Sequence, residues 1–219
     1  MIRSTLALSA VLALTGAASG ALVVTEVMAQ TTSGTSSTIN GDWWELTNTG
    51  GSSINLAGYQ WADTEDQLGG PTPQPNFFPA ITINAGESII ILEEAAANEA
   101  AWRTNWSVSA ALQILGTDEM LPSPGVTDTF SGLSSSGDGV FFYSPAGALL
   151  SSYTYGVNVR GTSWEASRSG ADLGLSVVGE NGAIRAANND IGSPGTSVPA
   201  PAMLPVVALG AFAMRRRVR

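Results

Sequence analysis

Two glutamates stand inside apolar, β-rich stretches: Glu26 in Leu22-Val23-Val24-Thr25-Glu26-Val27-Met28 and Glu45 in Asp42-Trp43-Trp44-Glu45-Leu46-Thr47-Asn48. Acids set in strands can become neighbours across a sheet, and two carboxylates flanking a cleft are the equipment of glycoside hydrolysis. The competing reading is structural, with each carboxylate facing solvent or accepting hydrogen bonds from backbone N–H groups. The chain carries 18 Asp and Glu in all, so chance acid pairs are expected and no catalytic residue is assigned. A second acidic group, Asp63-Thr64-Glu65-Asp66, precedes a Gly-Pro loop, and Asp63, Glu65 and Asp66 could offer oxygen ligands to Ca²⁺. Its spacing departs from the EF-hand pattern, and a solvated acidic turn is the plainer reading. Trp43, Tyr59, Trp61, Trp102 and Trp164 could build a stacking platform for sugar rings. Alternation along the strand sends Trp44 and Leu46 to one face, the core, and Trp43, Glu45 and Thr47 to the other, so Trp43 is expected to be exposed. Asn105-Trp106-Ser107 matches a glycosylation sequon.

Composition removes other chemistries. The 219 residues include no Cys and no His, so disulfides, thiol nucleophiles, imidazole bases and a Ser-His-Asp triad are all excluded. All nine cations are Arg, and the formal net charge is −9. Arg3 lies near one end, and Arg215, Arg216, Arg217 and Arg219 lie at the other. Between Gly20 and Val198 only four arginines face all 18 acids, which leaves that interior at −14. Such a surface repels phosphate backbones, so no nucleic-acid partner is expected. Calcium aside, no cofactor is expected.

The ends read as addresses. Met1-Ile2-Arg3, then a short apolar run from Leu6 to Leu14, then small residues to Ala21, have the layout of a secretory signal peptide over 1–20, to be removed by signal peptidase. Gly192 to Pro201 is linker-like, Ala202 to Met214 is uncharged, and an Arg cluster closes the chain. As a helix, thirteen residues would span about 20 Å, short of a hydrocarbon core of about 30 Å. This tail resembles the PEP-CTERM sorting signal of exported bacterial proteins: a Pro motif, one hydrophobic segment and a basic terminus. Val198-Pro199-Ala200-Pro201 stands for the motif, with Ala200 where Glu is usual, and Arg215, Arg216, Arg217 and Arg219 stand for the basic cluster. The resemblance implies transient anchoring in the membrane and cleavage by an exosortase-like enzyme. A permanent C-terminal anchor is the alternative.

Between them, residues 21–196 read as one domain of short strands punctuated by Gly and Pro. Strands are expected at 22–28, 42–48, 54–56, 59–61, 81–83, 88–92, 112–115, 140–143 and 149–155. The uninterrupted Ile89-Ile90-Ile91-Leu92 implies burial on both faces. One helix is expected from Glu93 to about Asn105, with Glu93, Glu94 and Glu99 near its start and Arg103 near its end. The helix–strand alternation that would build a parallel sheet is missing, so the fold class is all-β: a sandwich with one short helical insertion, flanked by a signal helix and a C-terminal hydrophobic helix.

The quoted residues resemble the lamin tail domain, an immunoglobulin-like β-sandwich. Thr25-Glu26-Val27-Met28 is similar to its opening Asn-Glu-apolar-Met. Asp42-Trp43-Trp44-Glu45-Leu46-Thr47-Asn48 is similar to its Trp-apolar-Glu-Leu-x-Asn segment, and Leu56-Ala57-Gly58-Tyr59-Gln60-Trp61-Ala62-Asp63 to the segment after it. Phe78-Pro79, Ala85-Gly86-Glu87, Gly137-Asp138-Gly139-Val140 and Ser193-Pro194-Gly195 match later features. Ser163-Trp164-Glu165 matches a terminal Ser-apolar-Glu-Arg pattern except that Ala166 replaces Arg. The resemblance implies a noncatalytic interaction or architectural module. The expected protein is therefore exported, structural or adhesive, and placed at the cell surface or in a matrix of polysaccharide or protein. The alternatives are a calcium- or carbohydrate-binding module and, further off, a secreted carboxylate hydrolase.

Overall fold

The computed structural model describes residues 22–33, 37, 39, 41–65, 76–121 and 132–199. The expected signal helix, the C-terminal hydrophobic helix and the Arg cluster lie outside the described residues.

Three strands form the centre: β1 (Leu22–Met28), β2 (Trp43–Asn48) and β7 (Ser88–Leu92). Their β-branched and aromatic residues suit a pleated surface buried on both sides, and every residue of β2 and β7 is buried. Leu46 pairs Ile89 and Trp44 pairs Ile91 across this centre. Around it grows a six-stranded sheet in the order β12-β11-β1-β2-β7-β8, with β8 at Gln113–Gly116, β11 at Trp164–Ala166 and β12 at Asp172–Leu175.

A second, four-stranded sheet packs on one face in the order β10-β9-β4-β5. It comprises β4 (Gln60–Ala62), β5 (Asn76–Phe77), β9 (Asp138–Tyr143) and β10 (Leu149–Tyr155). Between the sheets, the Trp44 ring lies 5.2 Å from Trp61 and edge-on to Phe78 at 6.2 Å, joined by Leu46, Ile89, Ile91, Val140 and Phe142. Small ladders of β3 (Ile54–Asn55) with β6 (Thr82–Ile83), and β13 (Ile184–Arg185) with β14 (Ile191–Gly192), complete the described strands.

A bulge in β1 makes the large sheet two-sided. The β1–β2 register shifts between Val24 and Glu26, where Thr25 is the extra residue. Leu22 and Val24 before it, and Val27 and Ala29 after it, therefore all reach the inter-sheet core. Glu26 and Met28 turn to the opposite face.

That opposite face is covered, and this corrects two expectations. Trp43 is not exposed but fully buried, with Trp102 and Trp106 set edge-on to it at 5.7 and 5.6 Å. Both belong to α1 (Glu99–Trp106), entered by a 3-10 turn at Ala96–Asn98. The second correction concerns strand direction: β7 and β8 pair in parallel, Ile90 opposite Ile114, and α1 is the crossover between them. One helix between two strands is enough for a βαβ unit, even in a chain whose other strand pairings are antiparallel among the described residues. The helix also starts later than expected. Glu93 N–H still bonds Asp42 carbonyl, and Glu94 serves as acceptor for the Asn98 amide and for Thr117 N–H.

Candidate functional site

The two candidate glutamates do meet. Glu26 stands opposite Glu45 on one side and opposite Glu165 of β11 on the other, which lines up three acids across adjacent strands β2, β1 and β11. All three are at most 3% exposed. Glu165 is the member that sequence reasoning did not assign. Its signal was present in Ser163-Trp164-Glu165, where an acid again stands within a short strand, as Glu26 and Glu45 do.

The row is sealed by the chain's own C-terminal segment. Thr196 N–H bonds Ser193 carbonyl at 2.8 Å, and Gly195 has φ +79°. With Pro194 and Gly195 at its centre, Ser193–Thr196 is a type II β-turn, whose third position needs a positive φ that glycine supplies without strain. The turn aims its amides downward. Ser193 N–H reaches Glu26 Oε1 at 2.7 Å, and its hydroxyl reaches Oε2 at 3.1 Å. Gly195 N–H reaches Glu45 Oε2 at 2.5 Å. Gly192 lies just before the turn, where an added Cβ would stand 2.7 Å from Glu26 Oε1 and 3.1 Å from the Trp106 ring.

Hydroxyls fill the remaining positions. Glu45 Oε1 takes the Thr25 hydroxyl at 2.6 Å, and Thr47 links Thr25 to Ser88 at 2.8 Å on each side. Ser163 Oγ lies 2.5 Å from Glu26 Oε1 and 2.6 Å from Ser176 Oγ, which lies 2.7 Å from Glu165 Oε1. Asn181 donates to Glu165 Oε2 at 3.0 Å. Burial pushes the Glu26 carboxyl well above the usual range, and the neighbouring Glu45 adds to the push. Burial raises Glu45 as well, against the opposing hydrogen bonds from Thr25, Gly195, Ser88 and Thr47. The one ion pair among the described residues, Arg103 with Glu99 at 3.7 Å, lies on α1.

Beside the turn runs a groove of about 500 Å³, lined by Ser88, Val108, Leu112, Ile184, Pro194 and their neighbours. Its one acidic lining residue is Glu87. A second cleft of about 290 Å³ is lined by Asp42, Glu93 and Arg160 among others. Burial, then the Glu93 charge, pushes Asp42 up to about 8. The Arg160 guanidinium donates to the carbonyls of Thr31 and Thr32 at 3.1 and 3.3 Å.

The other expected sites fall apart or lie elsewhere. Of the sugar-platform aromatics, Trp43, Trp61 and Trp102 are fully buried, Tyr59 stacks flat on Phe142 at 5.5 Å, and Trp164 packs half-buried against the core. They form no shared surface. Asn105 is buried within α1, where its Oδ1 accepts from Asn188 N–H, so the sequon is closed in the folded domain. Asp63 and Glu65 follow β4, with the Glu65 carbonyl accepting from the Tyr143 hydroxyl at 2.7 Å; Asp66 lies outside the described residues. Among the described residues, no group of three or more acids is placed to hold a metal ion. Val198 opens the expected sorting motif docked on the domain, its carbonyl accepting from Arg168 N–H at 2.8 Å. Ala200, Pro201 and Arg215, Arg216, Arg217 and Arg219 lie outside the described residues.

Two packed sheets, a core shared between them and, among the described residues, a single short α-helix define an immunoglobulin-like β-sandwich. The chain belongs to the lamin tail domain family, whose model matches residues 15–157. No curated protein matches it. The matched stretch ends just after β10, whereas the acid row and the turn that seals it need β11 and residues 191–196.

Proposed function

We propose that this protein is an exported, non-catalytic structural or adhesive component of the cell surface or extracellular matrix. It is built on the lamin tail domain and sorted at the envelope through its C-terminal segment. The observation that carries the non-catalytic reading is the sealed acid row. A hydrolase needs two carboxylates open to a cleft, and here all three are buried, Glu26 and Glu45 beneath the Ser193–Thr196 turn and Glu165 against Ser176 and Asn181. Their oxygens are occupied in holding the chain together.

Sorting rests on the tail's sequence: Val198-Pro199-Ala200-Pro201, the uncharged run and the terminal arginines. Its partners in this reading are signal peptidase, an exosortase-like enzyme and, before processing, the membrane. Among the described residues, no helix is long and apolar enough to cross a membrane. Intact-mass measurement on protein recovered from the producing cells tests the reading directly. The expected mass lacks the leading segment near 1–20 and the terminal Arg215 to Arg219. A mass that retains both ends overturns export and sorting together. The non-catalytic reading is tested apart from these, by assaying glycosides against the wild type and Glu45→Gln: turnover lost in the variant would sink it.

A further inference from the structure

Four oxygens run in line between two of the buried acids: Glu26 Oε1, Ser163 Oγ, Ser176 Oγ and Glu165 Oε1. The successive separations are 2.5, 2.6 and 2.7 Å. Each is a hydrogen-bond length and needs one proton between its two oxygens. The serines bring one proton apiece, and an ionised carboxylate brings none. Two protons cannot fill three contacts. If both acids were ionised, the serine protons would be drawn outward, leaving the 2.6 Å contact between Ser163 and Ser176 as lone pair against lone pair.

We propose that this line stores one additional proton, shared between Glu26 and Glu165, and that the stored proton latches the C-terminal segment 191–198 onto the sheet. The proton on either end fills every contact. Glu26 can donate to Ser163, Ser163 to Ser176 and Ser176 to Glu165, or the same chain can run in reverse. The groups facing Glu26 make that proton hard to lose. Glu45 acts on it from β2 and Glu165 from β11, both negative, and no cation is hydrogen-bonded to it among the described residues. Opposing them, the segment above contributes the N–H and hydroxyl of Ser193, which favour the ionised form, while α1 contributes the Trp106 ring over Gly192. The direction of the Glu26 shift, upward with burial as its largest cause, agrees with a stored proton.

Removing the proton places like charges on adjacent strands in a dry layer, and separation of 191–198 is the relief that lets water in. Above the latch's midpoint, one proton lost on opening weakens closure about tenfold per pH unit. Hydrogen exchange on the purified protein reads this at the amides of Ser193, Gly195 and Arg168, as protection factors corrected for the intrinsic pH dependence. As pH rises above the ordinary carboxylate range, wild-type protection there is expected to fall, while the β9–β10 hairpin holds. In Glu165→Gln the side-chain amide donates permanently to Ser176 and its carbonyl still accepts from Asn181, so protection should persist at the higher pH. A flat wild-type profile, or a variant that falls in parallel with the wild type, overturns the proposal. Should Glu165→Gln fail to fold, Ser176→Ala serves instead: it breaks the line and must move the wild-type midpoint, and an unmoved midpoint is equally fatal.

Discussion

Gly192 shows how little room the acid row leaves. Its backbone lies so close to Glu26 Oε1, Ser163 Oγ and Trp106 that a methyl group has nowhere to go. Gly192→Ala is expected to destabilise the domain by about 1–3 kcal/mol, as overpacking generally does, with the loss read as a lower denaturant midpoint. Asp42 tests the electrostatics at a separate place. Its carboxyl is held up to about 8, so between its ordinary range near 4 and that value the folded state keeps a proton that the unfolded chain has released. Stability must fall as pH rises through this window, and the raised Glu26 and Glu45 act in the same direction. The melting temperature should be higher near pH 5 than near pH 8. Asp42→Asn should make that slope shallower by up to about 1.4 kcal/mol per pH unit, with little change at the acid end. A melting temperature that climbs toward pH 8 would contradict all three assignments. The Glu26–Glu45 neighbourhood was legible in the sequence because both acids interrupt apolar strands at matching places. Glu165 was not assigned because its strand is three residues long and ends in Ala166 where the family pattern has Arg.

At the scale of elements, α1 covers the face of β2 that alternation alone would give to solvent. Truncating Trp106 to Ala uncovers Trp43 and opens a cavity between helix and sheet. A loss of about 3–5 kcal/mol is expected, with a red shift of tryptophan emission as the check. An unchanged spectrum would mean that the helix does not cover Trp43. The strand positions were readable from composition, since β-branched runs and Gly-Pro punctuation are local signals. What decides the second face was not. A one-residue bulge at Thr25 reverses which side chains of β1 look inward, and nothing in a strand's composition marks where the register slips. The parallel β7–β8 pairing was missed for a related reason: the helical stretch was read as an insertion, whereas its length of chain also suffices to carry β8 back alongside β7. The Ser-Pro-Gly turn, by contrast, announces its own geometry, and only its target was hidden.

The whole molecule is larger than the stretch that the family model matches. β11 pairs with β1 within the large sheet, and the segment after it seals the acid row, yet both follow residue 157. A chain ending at 157 would leave Glu26 and Glu45 without their amide donors and β1 with a bare edge. It should fail to give a cooperative thermal transition, whereas residues 22–199 should melt as one unit. Cooperative melting of the shorter chain would show that the last strands are an accessory. Second-sheet contacts reinforce the same closure: the Tyr153 hydroxyl reaches across from β10 to Asp172 of β12 at 2.7 Å. The link between Glu26 and Ser193 joins residues 167 positions apart. Contacts so distant along the chain are slow to form, because a long loop must close before they contribute. The first strand to emerge from synthesis thus waits for almost the last residues of the domain. Until they arrive, Glu26 and Glu45 lack the amide donors that cover them, and the centre of the large sheet is closed last by the chain's final turn.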